Sequence, residues 1–470
     1  MIACCGAIAI APQTLVYWDS FGYVLQALSG NVGGLGLGRP VFVFTSHAIA
    51  RGALAAGASA WQVEPLLRIW WCLVSSAAAP LSRSVALACG LHRRAALLAG
   101  IAVACSPAFA HTSGTLLTDG AAVTLFLVSC RLACAMAVRS SGPGRDRYAA
   151  AAGVAMGLAI GVRDQSLLGV PMLVLFIPTL ARARRLRLAT ILCLATGVTV
   201  VAPILWVLAT EPGYVQTIQS WLSGMEHDRA LKTFDWRSLA VFLAWIASLG
   251  TVVFPGLAEY FRARSQIRGW GTALFAIVVS SVFQILAIAM FQSIAYSPRY
   301  LLSAFPGAFA LPGAMWLHTW AGTSRARFLG AVAVIVLPFL VAIPIVRARQ
   351  APIEATLRSW PAMLRRVPDG SVIVSGQPCP AVPLIEELLS RERSSSRPAI
   401  DWEPVCPGWA WPADLSRRLD DTVGEGRTVV LDLRPSSWLG AEQQRALDQV
   451  RRYRAARANG EARRRLVIFE

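Results

Sequence analysis

Four short stretches set ionisable side chains against apolar runs. Asp19 stands in VYWDSFGYVLQALSG (16–30) and Asp119 in SGTLLTDGAAV (113–123). Arg163 and Asp164 lie together in GLAIGVRDQSLL (157–168), and Arg299 precedes Tyr300 in AYSPRYLLSAFP (295–306). A carboxylate can take the proton of an attacking hydroxyl. A guanidinium can grip an oxyanion through two parallel N–H donors. At membrane depth such groups are costly unless they face a cavity or one another. Any one of the four, taken alone, reads as a solvated loop-end residue. Whether they form a site depends on the elements that carry them.

Those elements are membrane helices. The chain has 470 residues, 55% hydrophobic and 15% charged, with a mean hydropathy of +0.53. Soluble domains carry nearer a quarter charged residues. Apolar runs at 1–17, 65–82, 95–112, 119–138, 148–163, 167–181, 188–209, 238–258, 270–291, 300–319 and 328–347 predict eleven spans, each near the length that crosses a bilayer. Beyond residue 350 the composition changes: 351–470 holds 18 Lys/Arg against 16 Asp/Glu, which leaves 26 basic and 10 acidic residues in 1–350. The net charge of +18 therefore sits almost wholly in the membrane part, an argument for basic cytoplasmic loops and against nucleic-acid binding.

Under an eleven-span count, Arg93-Arg94, VRSSGPGRDR (138–147), ARARRLR (181–187), FRARSQIR (261–268) and SRAR (324–327) fall on one side. The positive-inside rule makes that side the cytoplasm, with the N-terminus inside and the tail outside. The acids agree. Asp19, Glu64, Asp119, Asp164, Glu211, Glu226, Asp228 and Asp235 reach the outer face, and only Asp146 and Glu259 the inner. All four stretches of the opening thus share the outer face. The first span has no basic leader and no cleavage site, so a signal peptide is not expected; it is also short, which a start further upstream would explain.

With that arrangement the chain resembles the GT-C superfamily of polytopic glycosyltransferases that use lipid-phosphate sugars, among them protein O-mannosyltransferases and the aminoarabinose transferases of lipid A. The resemblance covers most of 1–346 as a set of short motifs. An acid after the first span is matched by Asp19, and a "TD" step after the third by Thr118-Asp119. A Gly-rich helix end with a base after the fifth is matched by GLAIGVR. RYLLSAFPGAFAL (299–311) is the most specific piece. Many members have two adjacent acids in the first loop, where this chain has Asp19-Ser20. Its first loop is also Gly-rich (GNVGGLGLGRP, 30–40), a departure that bears on the acceptor more than on the reaction.

The resemblance implies a sugar donated from polyprenyl phosphate to an acceptor hydroxyl, on a glycan, lipid or protein, at the outer face of the cell's inner (plasma) membrane. Phosphate leaves without a general acid but needs its charge held; Arg163 is the first choice for that and Arg299 the second. Asp19 is the candidate general base of a single, inverting displacement. Asp119 either orients Asp19 or the acceptor or is structural. Tyr300, Asp164 and His227 are the candidate substrate contacts. Aromatics of the loop 211–236, such as Tyr214 and Trp221, either stack on sugar or sit at the interface as Tyr and Trp do. Arg39, His47 and Arg51 either touch phosphate or anchor interfacial helices. His111 and His227 have no ligand spacing with the acids, and neither a metal nor another cofactor is expected.

Eight cysteines lie in the membrane part as apolar fillers, and no Cys-x-x-Cys pair occurs. Cys379 and Cys406 could pair if the tail is outside the cytosol. The tail alternates strand and helix patterns: GSVIVSG (370–376), AVPLIEELLSRE, RTVVLDL (427–433), AEQQRALDQVRRYRAAR (441–457) and RRLVIFE. That predicts a small α/β domain over 351–470, accessory to a catalytic domain over 1–350. The fold class is therefore mainly α, polytopic, with a C-terminal α/β domain. A polytopic transporter or lipid flippase is the competing reading. Transporters favour internal repeats and charges at mid-bilayer, and neither pattern occurs here.

Overall fold

The computed structural model describes residues 1–10, 18–32, 39–138, 143–171, 173, 182–216, 218–219, 246–263, 272–291, 298–364, 366–368, 370–375, 381–392, 401–404, 415–432, 434, 448–449, 451–455 and 466–469. In chain order its helices are α1 (Ile2–Ile10), α2 (Trp18–Ser29), α3 (Pro40–Ala55), α4 (Ala60–Ser76), α5 (Ala78–Ala88), α6 (Arg93–Ala104), α7 (Pro107–Gly114), α8 (Asp119–Val138) and α9 (Pro143–Val162). A 3-10 turn (Asp164–Gly169) follows, then α10 (Arg182–Thr210), α11 (Val253–Ala263) and α12 (Thr272–Phe291). Next come a 3-10 turn (Pro298–Leu301), a π-helical turn (Pro306–Ala310), α13 (Leu311–Ala321) and α14 (Arg325–Leu364). The tail holds β1 (Val372–Ser375), α15 (Ala381–Glu392), β2 (Asp401–Pro404), α16 (Leu415–Gly424), β3 (Val429–Asp432) and β4 (Leu466–Phe469). The chain divides into two compact units: Met1–Ala11, Gly30–Ile49 and Pro65–Ile345, and Pro12–Ser29, Ala50–Glu64 and Val346–Glu470.

The first unit is helical. Among the described residues three stretches are long and apolar enough to cross a membrane: Asp119–Ala137, Arg185–Thr210 and Arg325–Ala348. The α6–α7 pair makes a fourth if its 49° bend is one broken span. That bend interrupts a run expected to be continuous at 95–112. Ser106 caps α7 by accepting from the Phe109 N–H at 3.3 Å, and Pro107 at the first helical position lacks the N–H that would continue α6. The run expected at 300–319 is likewise broken, into a 3-10 turn, a π turn and α13, because Pro306 and Pro312 withhold backbone donors. The spans read at 1–17, 167–181, 238–258 and 270–291 fall partly outside the described residues. On α10, Leu194, Val198, Leu205 and Trp206 are each 58–64% exposed, an apolar outward face on a helix long enough to cross a membrane.

Small residues set the close packing. Gly153, Gly157 and Gly161 recur every fourth position along one stripe of α9. A Cβ on Gly153 would lie 2.5 Å from the Leu192 carbonyl oxygen, and one on Gly157 2.6 Å from Thr199 Cβ. The Thr196 hydroxyl donates to the Gly153 carbonyl at 3.2 Å, so α9 and α10 touch nearly backbone to backbone. The glycines before Arg163 are thus a packing stripe. Gly157→Ala is expected to destabilise the helix pair by about 1–3 kcal/mol, since helix backbone must move to admit the methyl. A lower melting temperature in detergent than wild type is the result that checks it.

In the second unit β2-β1-β3-β4 form a parallel sheet, in register from Val372↔Val429 to Ser375↔Asp432 and from Val429↔Leu466 to Asp432↔Phe469. β1, β3 and β4 fall where the alternating pattern predicts them. β2, with the sequence DWEP, was not expected as a strand, and it lies at the sheet edge, where its proline is tolerated. Val372, Val374, Leu419, Val429, Leu431 and Tyr453 form the core. Helix α14 runs on past residue 350 to Leu364, and Arg434 fastens its last turns. Arg434 donates to Asp432 at 2.7 Å and to the Ser359 hydroxyl at 2.5 Å, with its guanidinium 5.3 Å from the Trp360 ring centroid. Cys379 and Cys406 lie outside the described residues.

Candidate active site

Each of the first unit's candidate residues sits where a helix stops or starts. Helix α9 ends with the Arg163 N–H donating to the Ala159 carbonyl at 2.9 Å. Arg163 itself is extended (φ −152°, ψ 113°), which turns the chain into the 3-10 helix. Asp119 opens α8, and its charge suits the positive end of that helix. The turn before it contains Leu116 with φ of +54°, a left-handed conformation that a bulky residue adopts only under tertiary constraint. A Cβ on Gly120 would meet the Ser113 hydroxyl at 2.2 Å and the Ser75 hydroxyl at 2.5 Å, so a side chain here would have to displace both serines. Arg299 and Tyr300 lie in the 3-10 turn Pro298–Leu301.

These breaks bring four of the expected residues together. Arg163 Nη1 is 2.9 Å from Asp119 Oδ2, with side-chain exposures of 3% and 1%. The same nitrogen donates to the Thr118 hydroxyl at 3.1 Å, and Arg163 Nε donates to Gln165 Oε1 at 2.8 Å. Arg163 Nη2 and Asp119 Oδ1 are buried with no hydrogen-bond partner among the described residues. The Tyr300 ring lies beneath two guanidiniums, 5.4 Å from Arg163 Cζ and 5.2 Å from Arg299 Cζ. Arg299 is 9% exposed, and its Nη2 donates to the Tyr300 hydroxyl at 3.4 Å. Among the described residues, two guanidiniums and one carboxylate thus gather around a phenol ring. Such a place suits an anion with several oxygens.

Thr118 and Gln165 complete the hold on Arg163. The first was read only as half of a "TD" step and the second not at all. Asp164 is half-buried and accepts from the Gln165 N–H at 3.0 Å, outside the guanidinium pair. Asp19 belongs to the second unit, in the first turn of α2, and is 8% exposed beside the fully buried Ser20. His227 and Trp221 lie outside the described residues. Tyr214 is core, packed with Val32, Val43 and Val207, and its burial together with the Glu211 carboxylate pushes the phenol up from its ordinary value. Glu211 accepts from the Val32 N–H at 2.7 Å, so both residues anchor the first loop's backbone. Among the described residues no three His, Cys, Asp or Glu side chains gather as metal ligands.

A second cluster of bases is structural. His92 and His318 stack at 4.6 Å with 3° between their planes, beside a cavity of about 490 Å³ that Arg94 also lines. Arg94 Nη1 donates to the carbonyls of Gly322 (3.3 Å) and Thr323 (3.2 Å), which caps the end of α13.

No protein-family model matches the chain, and no curated protein matches it. Solved structures do. The chain is similar to the oligosaccharyltransferase of Archaeoglobus fulgidus, crystallised with zinc and sulfate, at TM-score 0.56 and 12% identity over 87% of this chain; it spans 62% of that protein's length. It is also similar to ArnT from Cupriavidus metallidurans bound to undecaprenyl phosphate, at TM-score 0.53 and 14% identity over 85% of this chain and 87% of ArnT. At such identities the likeness is one of fold. Mostly helical, with the expected motifs at its helix breaks, the chain has the GT-C-like fold of these membrane glycosyltransferases.

Proposed function

We propose that this protein is an inverting membrane glycosyltransferase that moves a sugar from a polyprenyl phosphate to an acceptor hydroxyl at the outer face of the plasma membrane. The observation that carries the reading is the buried Asp119–Arg163–Tyr300–Arg299 cluster, assembled from three helix breaks inside a GT-C-like fold. Undecaprenyl phosphate in the similar ArnT structure supports the donor class. The eleven-span count, with the N-terminus inside and residues 351–470 outside, belongs to the same proposal.

In this mechanism the acceptor oxygen attacks the anomeric carbon, and the bond from that carbon to the phosphate oxygen breaks. The polyprenyl phosphate leaves with the electron pair of that bond, and Asp19 takes the acceptor's proton. Arg163 is held on two sides, by Asp119 and by Gln165, and presents Nη2 to the phosphate. Arg299 adds the second guanidinium, with Tyr300 as the platform that orients both. Preorganised charge of this kind stabilises the leaving group without reorganisation at the moment of transfer. Asp119 keeps Arg163 in place, the structural one of its two possible roles.

Binding of polyprenyl phosphate to the purified protein, followed by native mass spectrometry, tests the phosphate site. Arg299→Ala is expected to weaken it about 10- to 100-fold, the loss of a charge-assisted hydrogen bond. Unchanged affinity would remove Arg299 from the site. A reporter fused after Glu470 is expected to be active outside the cytoplasm, and one inserted between residues 139 and 142 inside; the reverse pattern would overturn the topology.

A further inference from the structure

Helix α2, which carries Asp19, belongs to the same compact unit as the C-terminal α/β domain. Within that unit α15 packs on α2. Helix α2 buries Phe21, Tyr23, Val24, Ala27 and Leu28, and α15 buries Leu384, Ile385 and Leu388. The last carbonyls of a helix have no partner inside it. Here the Leu28 carbonyl accepts from Arg391 Nη2 at 3.0 Å across 363 residues of sequence. Glu387, one turn earlier on α15, accepts from Arg391 Nε at 2.7 Å and so fixes the guanidinium that makes the cap. The cap also places a cation at the negative end of α2.

We infer that the α/β domain is a clamp on the catalytic helix, with Arg391 as a positioning residue for Asp19. The inference rests on the reading of Asp19 as the base. A 12-residue helix is a rigid rod, so a grip on its C-terminal turn and flank sets where its first turn points. Asp19 occupies that first turn and is buried, so a small tilt of α2 changes the distance over which a proton must pass. Misplacement of a reacting group by about 1 Å can cost a hundredfold in rate. The domain's role is then to hold the base.

The test uses full-length protein with Arg391→Ala and Arg391→Lys. Arg391→Ala is expected to lower kcat about 10-fold or more, with KM for the polyprenyl-phosphate donor unchanged, while amide hydrogen exchange in the last turn of α2 speeds up. Arg391→Lys keeps a donor for the Leu28 carbonyl and is expected to restore most of kcat. A residue that merely stabilised the fold would lower the yield or melting temperature and leave kcat per folded molecule intact. Unchanged exchange in α2 and unchanged kcat in Arg391→Ala, with Asp19→Asn inactive, would overturn the clamp and spare the base. Faster exchange in α2 with Asp19→Asn fully active would keep the clamp and overturn the base.

Discussion

Asp19→Asn is expected to lower sugar transfer by about 10²- to 10⁴-fold, the range that a positioned general base contributes. The substitution removes the proton acceptor and keeps the shape. Asp19 sits in the first turn of α2, where a carboxylate contributes only about 0.3–1 kcal/mol through the helix dipole. The protein should therefore be made and inserted at wild-type levels with a nearly unchanged melting temperature. Initial rates at saturating donor, normalised to purified protein, separate the two effects. Loss of rate with retention of fold is the signature of a base. Loss of both would make Asp19 a structural acid.

The second large effect concerns stability. Arg163→Ala strands the Asp119 carboxylate, 2% exposed, with the Thr118 hydroxyl as its immediate neighbour in the chain. Removing one partner of a buried ion pair costs about 3–5 kcal/mol, because the other charge stays desolvated. Asp119→Ala strands the guanidinium, though Gln165 and the Tyr300 ring still hold it, so its cost should be smaller. The double variant is expected to recover part of the loss, with a coupling of about 0.5–3 kcal/mol. Melting temperatures of the four proteins in one detergent check this. Strict additivity would mean that the pair is not energetically coupled. Arg163→Lys keeps the charge and loses the planar fork that reaches Asp119, Thr118 and Gln165 together, so it should recover stability better than activity.

Residue type and hydropathy made much of this legible in the sequence. A lone acid or base beside an apolar run is conspicuous, and Asp119, Arg163, Arg299 and Tyr300 were all visible in that way. What periodicity does not carry is partner choice. Arg163 meets Asp119 and Thr118 across more than forty residues, through a turn at Leu116 that no local pattern requires. For the same reason the sequence does not show that Arg163 Nη1 and Nε are engaged inside the protein, which leaves Nη2 as the nitrogen for the proposed phosphate contact. RYLLSAFPGAFAL reads as the start of a helix, whereas Pro306 and the flanking Pro298 and Pro312 break it into 3-10 and π turns. The glycines of GLAIGVR mark a helix end in the sequence, but their reason is close packing, of α10 on Gly157 and of Val41 in α3 on Gly161. Tyr214 shows the limit of reading aromatics as sugar platforms: its burial comes from a first loop far away in sequence.

Quantitative mass spectrometry of polyprenyl-phosphate sugars tests the central claim most directly, in a strain lacking this protein and complemented with wild type or Asp19→Asn. The account predicts that one polyprenyl-phosphate sugar accumulates in the deletion and in the Asp19→Asn strain and is cleared by wild type, which would also name the donor. Restoration of the wild-type lipid profile by Asp19→Asn at normal protein level would contradict it.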